Sequence, residues 1–164
     1  MELSRVRIEI DKGVAVLTLN DPAVMNAAGE PMLDDILAAM DVVEDEASGV
    51  RCLVITGAGT AFCSGANLRD RGSGKAKPVG IVLETHWHPL LRRLRRLHCP
   101  VITAVNGAAA GGGMALALTG DIVIAARSAY FLQAFRRIGL APDVGSTWLL
   151  PRRIGVARAM ELSL

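Results

Sequence analysis

Three adjacent glycines, residues 111–113, stand directly before the apolar, helix-forming run at 114–118 in the stretch GAAAGGGMALAL. Glycine is, after proline, the residue a helix interior tolerates least. Three physical requirements can place it there. The backbone passes close to something bulky, it turns with φ > 0, or its N–H groups are left bare for a ligand. The same stretch belongs to the uncharged run 101–120, twenty residues long and therefore long enough for a membrane span. Five of those residues are glycine, and an apolar run of this kind is equally the mark of a buried strand followed by a buried helix. The second reading is the one expected here.

Around this stretch, apolar runs alternate with small-residue loops. Val6, Ile8 and Ile10 alternate with charged residues, a turn falls at Asp11, Lys12 and Gly13, and Val14, Val16, Leu17 and Leu19 follow. That pattern predicts a β-hairpin over 5–20. Met32, Leu33, Ile36, Leu37, Met40 and Val43 repeat at helical spacing, predicting an amphipathic helix to about Glu46. RCLVITG (51–57), PVITAVNG (100–107) and DIVIAA (121–126) read as buried strands. Residues 57–68 read as loop, and the polar, glycine-rich 69–80 as a mobile segment. Leu83, Trp87, Leu90, Leu91, Leu94 and Leu97 form one stripe of a helix over 81–98, adjusted at Pro89. A final helix begins at Ala157. Strands alternating with helices give an α/β chain whose ligands are expected at the strand ends. The 164 residues suit a single domain, 1–164.

Composition narrows the function. A net charge of +2 argues against nucleic acid or an anionic membrane surface as partner. The cluster Arg92, Arg93, Arg95 and Arg96 reads first as a solvated helix face and second as a contact for a phosphate-bearing ligand. Three scattered cysteines, Cys52, Cys63 and Cys99, form no C-x-x-C pair. They read as reduced, buried thiols of a cytoplasmic protein, with no metal site. The opening MELSRVRIEI lacks the apolar core of a signal peptide. His86 and His88, two apart on a helix, face different ways.

Two strand-to-loop junctions look alike: 51–56 leading into GAGTAFCSGANL, and 101–105 leading into NGAAAGGGMALAL. Both leave main-chain amides uncovered by bulky side chains. Should they converge, one amide from each would grip a single oxygen as an oxyanion hole. Alternatively, the glycines serve only close helix–strand packing. No dinucleotide fingerprint or P-loop occurs.

AFCSGANL, PVITAVNGAAAGGGMALALTGDIVIAA and FRRIGLAPDVGSTWLLPRRIGVARAMEL, in this order and preceded by VAVLTLNDPAVMNAAG, resemble the crotonase (enoyl-CoA hydratase/isomerase) superfamily over nearly the whole chain. Asp21 departs from the family, which often has arginine there. The resemblance implies an α/β fold, a ClpP-like spiral of repeated ββα units. It also implies an acyl-CoA substrate, with coenzyme A as part of the substrate rather than a separately bound cofactor. It places the two amide donors at Ala66 and Gly112, with Gly111 beside the thioester and Gly113 starting the helix. Ala27, Ser64, Asn67 and Leu68 fall where the family lines its CoA and acyl sites. Phe135, Leu140 and Trp148 are expected to give Asp143 an apolar setting that would raise its pKa. The two glutamate positions of family hydratases are Ala115 and Phe135 here, and neither moves a proton. Asp143 matches an aspartate of enoyl-CoA and dienoyl-CoA isomerases, notably those of the phenylacetate pathway, where one base suffices for a double-bond shift. From the residues alone, Asp143 reads first as an N-cap for the helix at VGSTWLL.

The resemblance therefore leads to an isomerase using Asp143. Its alternatives are a hydratase or hydrolase with another catalytic group, a dehalogenase-like use of Asp143 as nucleophile, and a non-catalytic CoA-binding subunit. Family chains continue past RAMEL into further helices and assemble as trimers or dimers of trimers. A homo-oligomer with an exposed apolar face is the corresponding expectation here.

Overall fold

The computed structural model describes residues 3–68 and 77–164. The segment expected to be mobile, 69–80, falls outside that description as far as residue 76.

Chain order repeats one unit. Strands β1 (Val6–Asp11) and β2 (Val14–Leu19) precede helix α1 (Glu30–Glu44). Strands β3 (Cys52–Gly57) and β4 (Ala61–Cys63) precede α2 (Val79–Val82), a π-helical turn (Leu83–Trp87) and α3 (His88–Arg96). Strands β5 (Val101–Val105) and β6 (Ala108–Ala110) precede α4 (Gly112–Leu118). Strands β7 (Ile122–Ala125) and β8 (Tyr130–Leu132) precede α5 (Ser146–Ile154) and α6 (Val156–Ser163). Each ββα unit after the first sends one strand to each of two sheets. The larger has the order β1-β2-β3-β5-β7 and the smaller β4-β6-β8. Among the described residues only β1–β2 is antiparallel. It closes on Lys12 and Gly13, both with φ > 0 (49° and 79°), as a two-residue hairpin loop demands. All other pairings are parallel.

The core lies where α1 covers the larger sheet. Met32, Leu33, Ile36, Met40 and Val43 of α1 meet Leu17, Leu53 and Ile55. A second cluster joins Met114 and Leu118 of α4 to Leu150 of α5 and Ala159 of α6.

Three features differ from the sequence reading. The loop 57–68 contains β4, and β6 and β8 were equally hidden. Each is three residues long, and β6 is all alanine, a poor strand former that only its parallel neighbours hold extended. The helix predicted over 81–98 runs from 79 to 96 and is interrupted by the π-helical turn. Strand β7 is not buried: it is the edge of the larger sheet, with Ile122 53% and Ile124 58% exposed. The uncharged run 101–120 folds as expected, strand before helix, as β5, β6 and a seven-residue α4. Among the described residues no helix is long and apolar enough to cross a membrane.

Candidate functional site

The three short strands run parallel, Ala61 beside Ala108 and Ala108 beside Tyr130, with a register shift between Ala61 and Cys63 of β4. Their carboxyl ends therefore deliver three loops to one place, as expected for ligand sites of α/β sheets. The loop after β4 carries Ser64, Gly65, Ala66, Asn67 and Leu68. The loop after β6 carries Gly111 and Gly112. The loop after β8 carries Ala134 and Phe135. All of them line one cavity of about 170 Å³, which Leu140 and Asp143 complete from the segment before α5.

The first two loops touch. Gly65 has φ +93°, and a Cβ added there would lie 2.7 Å from the Ala110 oxygen and 3.3 Å from the Gly112 nitrogen. Gly65 O also accepts from Ala28 N–H at 2.7 Å, tying the N-terminal loop to the same edge. Gly112 is the first residue of α4, so its N–H precedes the helix's own hydrogen bonds. The first of those runs from Ala115 N–H to Gly111 O at 3.1 Å.

The three glycines answer to three different needs. Gly111 adopts φ 52° and ψ −122°, a conformation closed to L side chains, although the nearest atom to an added Cβ is 3.9 Å away. At Gly112 an added Cβ would sit 3.2 Å from Trp87 Cζ2 and 3.4 Å from Val144 Cγ2. At Gly113 it would sit 2.1 Å from the Cys63 carbonyl oxygen. The helix thus begins one residue earlier than expected, and Gly113 is required by packing on β4 rather than by the helix start.

Asp143 lies two residues before Gly145, which holds the N-cap position of α5 with no side-chain capping bond. The N-cap reading of Asp143 is thereby corrected. Its main-chain carbonyl receives the helix start, accepting from Ser146 N–H at 2.9 Å and from the Ser146 hydroxyl. Between them Val144 is held at φ 50°, rare for a β-branched residue, and Gly145 at 73°. Two left-handed residues in succession turn the chain sharply beneath the cavity, a local strain of the kind found at functional sites.

Two predicted residues stand apart. Trp148 is not among the cavity's lining residues. On the first turn of α5 it points outward, 59% exposed, with the Arg152 guanidinium stacked 3.0 Å over its ring. Ala27 is likewise outside the lining, where its neighbour Ala28 is found. Conversely, the sequence reading missed Trp87, Val144, Glu30 and Lys77, which all line the cavity, the last two forming an ion pair. Trp87 sits in an apolar stripe and reads as core. Glu30 reads as the solvated first turn of α1.

Groups outside the cavity are committed elsewhere. His86 Nε2 faces Asp34 Oδ1 at 3.1 Å, and His88 Nδ1 faces Glu84 Oε1 at 3.3 Å, on different sides of their helix. Arg93 turns back to α1, bonding Glu44, Asp41 and the Leu37 carbonyl. Arg5 pairs with Asp21, the position where the family often carries arginine. Cys63 is wholly buried. Burial pushes its thiol up to about 11, against lowering by main-chain hydrogen bonds from Gly65 and Ala28. Among the described residues no three His, Cys, Asp or Glu side chains gather as a metal site would require.

The family model for enoyl-CoA hydratase/isomerase matches residues 9–164. The chain belongs to the enoyl-CoA hydratase/isomerase family. A 1,2-epoxyphenylacetyl-CoA isomerase of Escherichia coli K12 is 51% identical over 158 residues, covering 94% of this chain and 60% of that protein. A Rhodobacter capsulatus protein named "Probable enoyl-CoA hydratase" is 49% identical over 164 residues, covering 100% and 62%. The crystal structure of an enoyl-CoA hydratase from Bacillus anthracis superposes with a TM-score of 0.88 at 32% identity, covering 98% of this chain and 62% of that one. The fold is the crotonase fold, α/β with repeated ββα units. The chain spans about 60% of the length of the curated relatives it matches.

Proposed function

We propose that this enoyl-CoA hydratase/isomerase family member binds an acyl-CoA thioester in the 170 Å³ cavity and shifts its double bond. The observation that carries the reading is the set of groups on that cavity. It has Asp143 and the two touching loops of Ala66 and Gly112, while Ala115 is buried inside α4 and Phe135 is apolar where family hydratases are expected to carry glutamates. In the proposed reaction the N–H groups of Ala66 and Gly112 hold the thioester oxygen. The Asp143 carboxylate removes a proton from one carbon, charge moves to that oxygen as an enolate, and the carboxylic acid returns the proton to another carbon. No atom is gained or lost, so one acid/base group suffices. The Escherichia coli relative is named a 1,2-epoxyphenylacetyl-CoA isomerase, which supports a mass-neutral rearrangement of an acyl-CoA. Coenzyme A enters as part of the substrate, and the protein works as a homo-oligomer.

One observation favours a hydratase instead: Glu30 is a second carboxylate on the same cavity, though paired with Lys77. The test is incubation with 2-enoyl- and 3-enoyl-CoAs, followed by mass spectrometry. Rearrangement without mass change is expected, whereas gain of one water establishes hydration. Asp143→Asn is expected to lower isomerisation by about 10²–10⁴-fold while acyl-CoA binding persists. Retained turnover removes Asp143 from the chemistry.

A further inference from the structure

We infer that Trp87 is the specificity-determining residue of this cavity. Its ring bounds the acyl end so that an acyl group with the bulk of one six-membered ring fits and a long straight chain does not. The inference rests on the reading of the cavity as an acyl-CoA site.

Three observations support it. The first is position. Trp87 is 3% exposed, lines the cavity and sets the six-membered edge of its indole against Gly112, where an added Cβ would lie 3.2 Å from Cζ2 and 3.4 Å from Cη2. Gly112 supplies one of the proposed oxygen-binding amides, so the indole stands at the reacting end rather than at the mouth. Val144 Cγ2 closes on the same point at 3.4 Å. The second is size. The cavity measures about 170 Å³, and an apolar protein cavity of about 150 Å³ holds one benzene. The third is rigidity. Trp87 ends the π-helical turn Leu83–Trp87. One extra residue in a turn rotates the helix phase by about 100°. Pro89 follows and has no N–H to donate to Thr85 O, the bond a regular helix would form. Next to the indole, His86 is pinned by Thr85 Oγ1 at 2.7 Å and by Asp34 of α1 at 3.1 Å. A ring buried in the core next to a fixed neighbour excludes by size instead of yielding to a longer ligand.

The test is direct binding of saturated acyl-CoAs, which cannot react, by calorimetry: hexanoyl-, decanoyl- and cyclohexylacetyl-CoA against the protein and its Trp87→Ala variant. The unsubstituted protein is expected to bind the hexanoyl and cyclohexylacetyl thioesters at least about tenfold more tightly than the decanoyl one, a discrimination within reach of a pocket that excludes a few methylenes. Trp87→Ala is expected to reverse the order, decanoyl-CoA gaining roughly fourfold for each methylene newly admitted. If Trp87→Ala does not fold, Trp87→Phe carries the test, with a smaller shift in the same direction. An unchanged hexanoyl-to-decanoyl ratio in the variant overturns the inference while leaving the acyl-CoA site intact. Absence of binding by every thioester overturns the acyl-CoA reading itself, and the inference with it.

Discussion

Glycine at residues 111–113 shows how one residue type serves different physical needs. Gly111 is required by its dihedral angles, Gly112 by the neighbouring indole, and Gly113 by the Cys63 carbonyl 2.1 Å from where its Cβ would stand. Gly113→Ala is expected to cost roughly 1–3 kcal/mol or more, since a backbone oxygen cannot yield as a side-chain tip does. Gly49→Ala meets only the φ of +64°, with nothing within 4 Å, and is expected to cost about 1–2 kcal/mol. Urea denaturation of the two variants separates crowding from conformation. Cys63 gives a pH signature. Its thiol ionises ordinarily at 9.0 but at about 11 in the fold, because burial disfavours the thiolate. Below pH 9 both folded and unfolded chains keep this proton. Above it the unfolded chain loses the proton while the folded chain retains it, so stability falls as pH rises from 9 toward 11. The slope is at most about 1.4 kcal/mol per pH unit. Denaturation midpoints at pH 8, 9 and 10 should show this loss, and Cys63→Ala should reduce it, the remainder including Cys99, whose thiol burial also pushes up. Asn26 was not singled out by sequence. Fully buried at φ 54°, it accepts from Asp21 N–H at 2.8 Å and donates to the carbonyls of Ala58 and Ala61 at 2.9 and 2.8 Å. No local pattern reports that a loop asparagine will bridge to a strand more than thirty residues away.

At the scale of elements, long periodic segments were legible and short ones were not. The hairpin, α1 and the strands at 52–57 and 101–105 carry alternation or helical spacing that survives in isolation. Strands β4, β6 and β8 have three residues each and pair only with one another. Their existence depends on parallel partners brought from elsewhere in the chain, a non-local cost no window of sequence contains. The π-helical turn was equally invisible, because Leu83 and Trp87 fit a regular stripe at i and i+4. The small sheet nevertheless sets the site, because it holds the loops after β4 and β6 in contact. Gly65→Ala is the matching test. Its Cβ would enter the space of Ala110 O at 2.7 Å and push the Ala66 loop away from Gly112. Turnover in the proposed reaction is expected to fall by about 10²-fold or more, the effect of losing one of the two proposed oxyanion donors, while the circular dichroism of the folded protein is kept.

For the whole molecule, the repeated ββα unit leaves its last copy uncovered. Ile122 and Ile124 of β7, Tyr130 and Phe131 of β8, and Val156, Met160 and Leu162 of α6 all present apolar side chains to solvent. An edge strand with apolar side chains is a template for association. This chain is expected to sediment as a species larger than a monomer at micromolar concentration, and Ile124→Lys to shift it toward the monomer. Analytical ultracentrifugation distinguishes the two. The sequence reading buried β7, since DIVIAA reads the same in the middle of a sheet as at its edge. Only the strand order says which applies.

Local periodicity and the order of three motifs were enough to establish an α/β chain, its family, and a cluster of small residues poised to expose main-chain amides. Those properties are written in neighbouring residues, and they hold whatever the rest of the chain does. That the Gly65 and Gly112 loops touch, that Asp143 reaches the same cavity while Trp148 does not, and that Trp87, a core residue, also walls that cavity were decided by tertiary structure alone. Each depends on the relative placement of segments separated by about twenty to eighty residues, and packing between distant segments, not propensity, sets that placement.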